Sequence, residues 1–190
     1  PHWTMTYEEI VKETRARFEK SLTHLQELLR SIRTGRASSS LVENIRVDYY
    51  GTPTPLGQMA AISVPEPRQI LIKPFDASSL KDIQKALQKS DLGITPDNDG
   101  KVLRMNLPPL SGEQRKKYAA KVKEYSEEAR VAMRNGRREM NKTADALKKD
   151  HKMTEDDNRA LHEEIQEILK SYEVKVDEVL EKKTTEVLEV

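Results

Sequence analysis

Three stretches in which apolar residues return every three or four positions constrain this chain more than any other feature. In the first, Tyr7, Val11, Thr14, Phe18, Leu22, Leu25, Leu29 and Ile32 follow that step. In the second, Tyr118, Val122, Tyr125, Ala129, Ala132, Gly136, Met140, Thr143 and Leu147 do so, and in the third Leu161, Ile165, Ile168, Tyr172, Val176, Val179 and Val187. Such spacing lays one apolar stripe along one side of a helix. Each helix is expected to run about 28–39 residues, or about 40–58 Å at ~1.5 Å per residue. Helices of that length bury their stripes against one another, so the pattern predicts a three-helix bundle. The punctuation agrees. Ser111 is positioned to cap the second helix. Residues 150–154 form a short turn, with Thr154 as the next N-cap and Asp157 three residues on, close to a capping box although Glu or Gln is preferred there. A short turn between long helices predicts antiparallel neighbours.

Residues 37–107 follow a different rhythm. Ile45 to Tyr49 alternate with period two, as a half-buried strand does. Gly51-Thr52-Pro53-Thr54-Pro55 reads as a breaker cluster. Ala61 to Val64, Gln69 to Ile72 and Val102 to Met105 are further strand candidates, and a short helix opens at Ser79 and ends near Gly93. Asp97-Asn98-Asp99-Gly100 is a turn signal. The expected class is therefore α+β: an antiparallel bundle built from residues 1–35 and 109–190, with a small β/α/β domain, residues 36–108, inserted between its first two helices. The chain crosses between them twice, at Thr34-Gly35-Arg36-Ala37 and at Leu107-Pro108-Pro109-Leu110. Gly permits unusual backbone angles and Pro-Pro cannot continue a helix. These segments are ordinary helix ends on punctuation alone. The functional alternative is a double-stranded hinge formed by Thr34, Gly35, Arg36, Leu107, Pro108 and Pro109. Pro1 to Thr4 precede a start at Met5 and are expected to be an appended remnant with no role in the fold.

Composition excludes several classes. Charged residues make up 34% and aromatics 5%, a balance that suits long helices with narrow seams better than an enzyme with a broad core. Without cysteine there is neither a disulfide nor a thiolate metal site. No apolar run approaches the ~20 residues of a membrane span, and the early Glu8 and Glu9 argue against a signal or transit peptide. A cytoplasmic protein is expected. There is no P-loop. The histidines His2, His24, His151 and His162 lack metal-ligand spacing. Asp97 to Gly100 fails as a calcium loop, because Thr95 stands where an Asp is wanted and no Glu follows in register. No catalytic residue, cofactor or metal is expected, and the chain reads as a non-enzyme.

What stands out instead is charge asymmetry. Residues 110–149 hold twelve Lys/Arg against six Asp/Glu, whereas residues 150–190 hold six against thirteen. Within the basic part, Arg130, Arg134, Arg137, Arg138 and Asn141 share one helical arc, centred about 130° from the seam of Ala129, Ala132, Gly136 and Met140 at ~100° per residue. On that reading they point outward, with no acidic residue among them, and Arg33 and Arg36 extend the patch near the first crossing. Three readings stay open: structured nucleic acid held by its backbone, an acidic protein, or a solvated face paired with the third helix. Arginine, planar and bidentate, favours phosphate. Long bundle helices lack the short recognition helix of DNA readers, and few aromatics are free to stack on bases, so RNA backbone fits best and DNA does not.

Several motifs then become recognisable. Ile32-Arg33-Thr34-Gly35-Arg36-Ala37-Ser38, Tyr49-Tyr50-Gly51-Thr52-Pro53-Thr54-Pro55-Leu56, Ser90-Asp91-Leu92-Gly93, Leu107-Pro108-Pro109-Leu110 and the run from Ala129 to Arg138 together resemble the ribosome recycling factor family, in order and over residues 6–190. The resemblance implies an L-shaped, hinged, two-domain protein. It implies binding to the large ribosomal subunit after termination and cooperation with elongation factor G to split the subunits. It implies rRNA contacts through Arg134, Arg137 and Arg138, with Arg33, Arg36 and Arg130 as additions, beside Asn141 from the helical arc. A monomer without membrane or DNA partners is expected. Gly136 departs from the family, where a larger apolar residue is usual. Two rivals remain: an RNA-binding assembly protein or chaperone using the same basic face, and a helical scaffold whose seams bind another protein's helices.

Overall fold

The computed structural model describes residues 5–189; Pro1 to Thr4, set aside above, lie outside the described residues. Its elements run α1 (Tyr7–Arg30), β1 (Arg46–Tyr49), β2 (Thr52–Pro55), β3 (Ala60–Glu66), β4 (Gln69–Pro74), α2 (Leu80–Gln88), β5 (Asp97–Asn98), β6 (Leu103–Asn106), α3 (Gly112–Lys149) and α4 (Glu155–Leu188). The chain divides into two compact units. One takes the chain up to Leu29 together with Ala119–Thr185; the other takes Arg30–Tyr118 and the chain from Glu186 onward.

The first unit is helical. α1 is shorter than its apolar pattern suggested, at 24 residues, because it ends at Arg30, before the Ile32 that continues the step; α3 and α4 have 38 and 34 residues. Hydrogen bonds and packing fix the directions. Tyr7 donates to Glu164 at 2.6 Å and Tyr172 donates to Glu19 at 2.7 Å, so α1 and α4 run the same way. Arg17 meets Glu139 and Phe18 meets Gly136, while Arg137 meets Gln166 and Asp145 meets His162, so α3 runs opposite to both. The caps explain the starts. Thr6 Oγ1 accepts from Glu9 N–H at 3.2 Å and Thr154 Oγ1 accepts from Asp157 N–H at 3.0 Å. The α3–α4 turn closes through His151, at φ +58°, with Lys152 N–H reaching back to the Leu147 carbonyl.

The α3 seam differs from the expected one by a small rotation. Its buried residues are Val122, Ser126, Ala129, Met133, Gly136, Met140, Ala144 and Leu147, whereas Ala132 is exposed. Met133 buries far more apolar surface than its neighbour Ala132 and takes the core position. Averaged along the helix, the seam turns by about 40° at ~100° per residue. α1 likewise adds Ile10, and α4 adds Leu169.

The second unit holds an antiparallel sheet in the order β3-β4-β6-β5 and a separate β1-β2 hairpin. α2 contributes Leu80, Ile83 and Leu87 to a core shared with Val47, Ile70, Ile72, Leu103 and Met105. The Thr52–Pro55 breaker cluster is in fact strand β2, with Pro53 opposite Asp48 and Pro55 opposite Arg46. β2 pairs on one side only, so the missing proline N–H groups cost no ladder bond on its open side. Tyr50 and Gly51, at φ +50° and +81°, make the two-residue turn, and Asp48 Oδ1 accepts from Gly51 N–H at 2.8 Å. α2 stops at Gln88, short of Gly93.

Candidate nucleic-acid interface

The rotated seam changes how the basic residues of α3 are presented. Relative to it, Arg137 lies about 57° away, Arg130 about 77°, Asn141 about 97°, Arg134 about 117° and Arg138 about 157° at ~100° per residue. The stripe is therefore a flank that leans towards α4, and only Arg138 stands opposite the core. Burial separates the two ends: the Arg130 side chain is 17% exposed and that of Arg134 39%, Arg137 and Asn141 are half-buried, and Arg138, opposite the core, is exposed.

Partners differ along the stripe. Arg130 pairs with Asp177 of α4 through one guanidinium nitrogen and with Glu127 at 3.4 Å through the other. Glu127 also reaches Arg134 at 3.5 Å. Burial acts to lower the Arg130 pKa, but the bonds to Asp177 and Glu127 outweigh it and hold the guanidinium above its ordinary value. The stripe thus contains an acidic residue that its sequence reading left out: Glu127 sits on the same arc, one turn before Arg130. Arg137 instead donates to the Gln166 amide oxygen at 3.1 Å, and Arg138 approaches the Asn135 amide oxygen at 3.5 Å. The Asn141 amide oxygen is buried without a hydrogen-bond partner. Lys142, exposed and one turn beyond Arg138, continues the basic flank, and its i+4 step from Arg138 is the signal for it in the sequence.

Near the crossings the outcome divides. Arg36 is exposed and 3.7 Å from Glu189. Arg33 is not on the surface at all. Only 6% exposed, it donates to the Pro108 carbonyl, and burial holds its pKa below the ordinary arginine value. A guanidinium so enclosed has no face left for phosphate, which removes it from the expected RNA contacts and makes it a tie between the two crossing segments. Thr34 Oγ1 accepts from Arg36 N–H at 3.2 Å, closing a local turn around Gly35. Leu107 is buried and bonds the Arg68 carbonyl through its N–H at 2.7 Å, while Pro108 and Pro109 are exposed. Both crossings fall within the second compact unit.

No helix among the described residues is long and apolar enough to cross a membrane.

Comparison with known proteins gives one answer. The family model described as Ribosome recycling factor matches residues 25–188. A ribosome-recycling factor from Bacillus licheniformis is 45% identical over 182 residues, covering 96% of this chain and 98% of its own length. Two solved structures align along nearly the whole chain. One is a solution structure of a ribosome recycling factor, with a TM-score of 0.77, 34% identity and coverage of 97% of this chain and 98% of that one. The other is a set of models of the T. thermophilus ribosome recycling factor and the E. coli elongation factor G bound to the E. coli post-termination complex. It aligns with a TM-score of 0.68 and 41% identity, over 97% of this chain and 100% of that one.

Proposed function

The chain belongs to the ribosome recycling factor family, and from that premise we propose that it binds the large ribosomal subunit of post-termination complexes and, with elongation factor G and GTP, splits the subunits for a new round of translation. It is a non-enzymatic translation factor; GTP hydrolysis belongs to its partner. It works in the cytoplasm, as a monomer.

Arg137 and Arg138 carry the RNA contact. They are guanidinium groups fixed on a helix and held by neutral amides, so their charge remains available to phosphate. Arg134, half-exposed and loosely paired, joins them, while Arg130 and Asn141 flank the contact on α3, and Arg36, exposed near the first crossing, is a separate phosphate contact. Arg33 has a different part: its bond to Pro108 keeps the two crossings side by side. Thr34, Gly35, Arg36, Leu107, Pro108 and Pro109 then form the double-stranded hinge about which residues 36–108 move against the bundle of residues 1–35 and 109–190.

Sedimentation with purified large subunits across a salt series tests the contact. Arg137→Ala is expected to weaken binding and to reduce the slope of log affinity against log salt by about 0.7–0.9, one phosphate's share. An unchanged affinity and slope would falsify it. Splitting by this chain is expected to require elongation factor G; equal splitting without it points to an assembly protein or chaperone instead.

A further inference from the structure

The arginine stripe of α3 is not electrically uniform. Its first half is neutralised within the chain. Glu127 offers one carboxylate oxygen to Arg130 at 3.4 Å and the other to Arg134 at 3.5 Å, and Asp177 takes the second nitrogen of Arg130. Two cations there face two anions. The second half is oriented without being neutralised, because Gln166 and Asn135 hold Arg137 and Arg138 through amide oxygens that carry no net charge. One helix thus carries a masked arginine pair followed by an open one.

The masking is reversible by construction. The Glu127 and Asp177 side chains are 55% and 65% exposed, so either can swing into water with little loss of packing, whereas Arg130 is tucked down and stays where it is. Exposed ion pairs are individually weak, and a phosphate held in place by neighbouring contacts can displace them. Arbitrary RNA offers no such help. A guanidinium that arrives together with its own carboxylate brings no net charge to a phosphate and releases no counterion.

Resting on the reading that this face binds rRNA, the geometry assigns Glu127 and Asp177 the part of internal counter-ions: they withhold Arg130 and Arg134 from RNA until Arg137 and Arg138 have engaged a matching backbone. Arbitrary RNA then meets two arginines and the ribosomal site meets four. Only the ribosomal complex therefore meets the cost of unmasking, and its extra contacts offset that cost.

The test pairs Glu127→Gln with Asp177→Asn in one variant and measures its binding to an RNA duplex of arbitrary sequence and to purified large subunits, each across a salt series. Glu178→Gln is the control, since it removes an equal charge from the exposed residue next to Asp177 without touching Arg130. In the double variant, duplex affinity is expected to rise about threefold to tenfold and its salt slope to steepen by about one to two. Large-subunit affinity is expected to rise at least as much, but its salt slope, which already includes all four arginines, is expected to stay unchanged, and the control is expected to stay near wild type on both targets. Thermal unfolding followed by helical circular dichroism verifies that the variants fold. The assignment is overturned if duplex affinity and slope do not move, if Glu178→Gln moves them equally, or if the large-subunit slope steepens as much as the duplex slope does. Failure of the rRNA reading is distinguishable: Arg137→Ala would then leave subunit binding intact while the duplex result still stands.

Discussion

Gly136 is the position where packing and helix propensity oppose each other most directly. It sits inside α3, where glycine costs about 1 kcal/mol against alanine. A Cβ built there would meet Phe18 Cε1 at 3.2 Å and Cδ1 at 3.8 Å. The ring cannot retreat easily. Phe18 is 1% exposed, and the Tyr172 ring stands edge-on to it at 5.7 Å and 65°. Tyr172 is itself anchored by its hydroxyl on Glu19 at 2.7 Å. The aromatic ring of α1 thus fills the space that a larger residue on α3 would occupy, which accounts for a glycine at this seam position. For Gly136→Ala, the ~1 kcal/mol gained in propensity is offset by the few tenths of an ångström the ring must yield, and stability is expected to stay close to wild type. For Gly136→Val, the propensity gain shrinks to a few tenths of a kcal/mol and two further methyl groups enter the contact. Overpacking at about 1–3 kcal/mol then dominates. Replacing the ring as well, with Phe18→Leu, is expected to recover part of that loss, giving a coupling of about 0.5–3 kcal/mol in a double-mutant cycle. Urea unfolding followed by helical circular dichroism measures each corner, and the m-value reports whether the transition remains comparable among the four proteins. If Gly136→Val is as stable as wild type, or if the two substitutions simply add, the ring does not confine this site and the reasoning fails.

Two further expectations follow from local bonds. Ser111 N–H donates to Gln114 Oε1 at 3.0 Å, and Gln114 N–H donates to Ser111 Oγ at 3.1 Å, a reciprocal cap on α3. Ser111→Ala is expected to cost about 0.5–2 kcal/mol and to speed exchange of the Gln114 amide, while Ser111→Asp retains most of the stability; equal losses in both variants would remove the cap from the account. Tyr7 carries a pH dependence at the alkaline end. Burial, then the bond to Glu164, pushes its phenol from 10.0 up to about 12. A raised folded-state pKa contributes stability that is complete below about pH 10 and is lost as pH rises through about 12. The stability advantage of wild type over Tyr7→Phe is therefore expected to hold up to about pH 10 and to narrow between about pH 10 and pH 12, and a constant difference across that window would count against the bond.

Much of the architecture could be read from the residues because periodicity over long windows averages out local accidents. Three helices of several turns each carry enough apolar positions for their type to be plain, and Ser111 and Thr154 cap where their spacing places them. Short elements gave less. Thr52–Pro55 reads as a breaker because two prolines in four residues deny a central strand, yet an edge strand bonded on one side admits them. Its turn depends on Tyr50 in a left-handed conformation, and tyrosine carries no signal for that. Arg33 was lost for a different reason: its partner, the Pro108 carbonyl, lies 75 residues away, and nothing in the motif around Arg33 announces that contact.

The most consequential misreading is also the smallest. Ala132 and Met133 both continue a three-four step, and the choice between them moves a helix face by about 100° at that turn. With Ala132 in the seam, five polar residues stand clear of the core. With Met133 there, Arg130 and Arg137 lean against α4, and only then can Asp177 and Gln166 reach them. Side-chain size, not periodicity, decides the point, because burying methionine removes far more apolar surface from water than burying alanine does. The charge of the interface therefore depends on a packing decision one residue away from it. A basic face drawn from spacing alone overstates its positive charge wherever the true seam turns it towards an acidic neighbour.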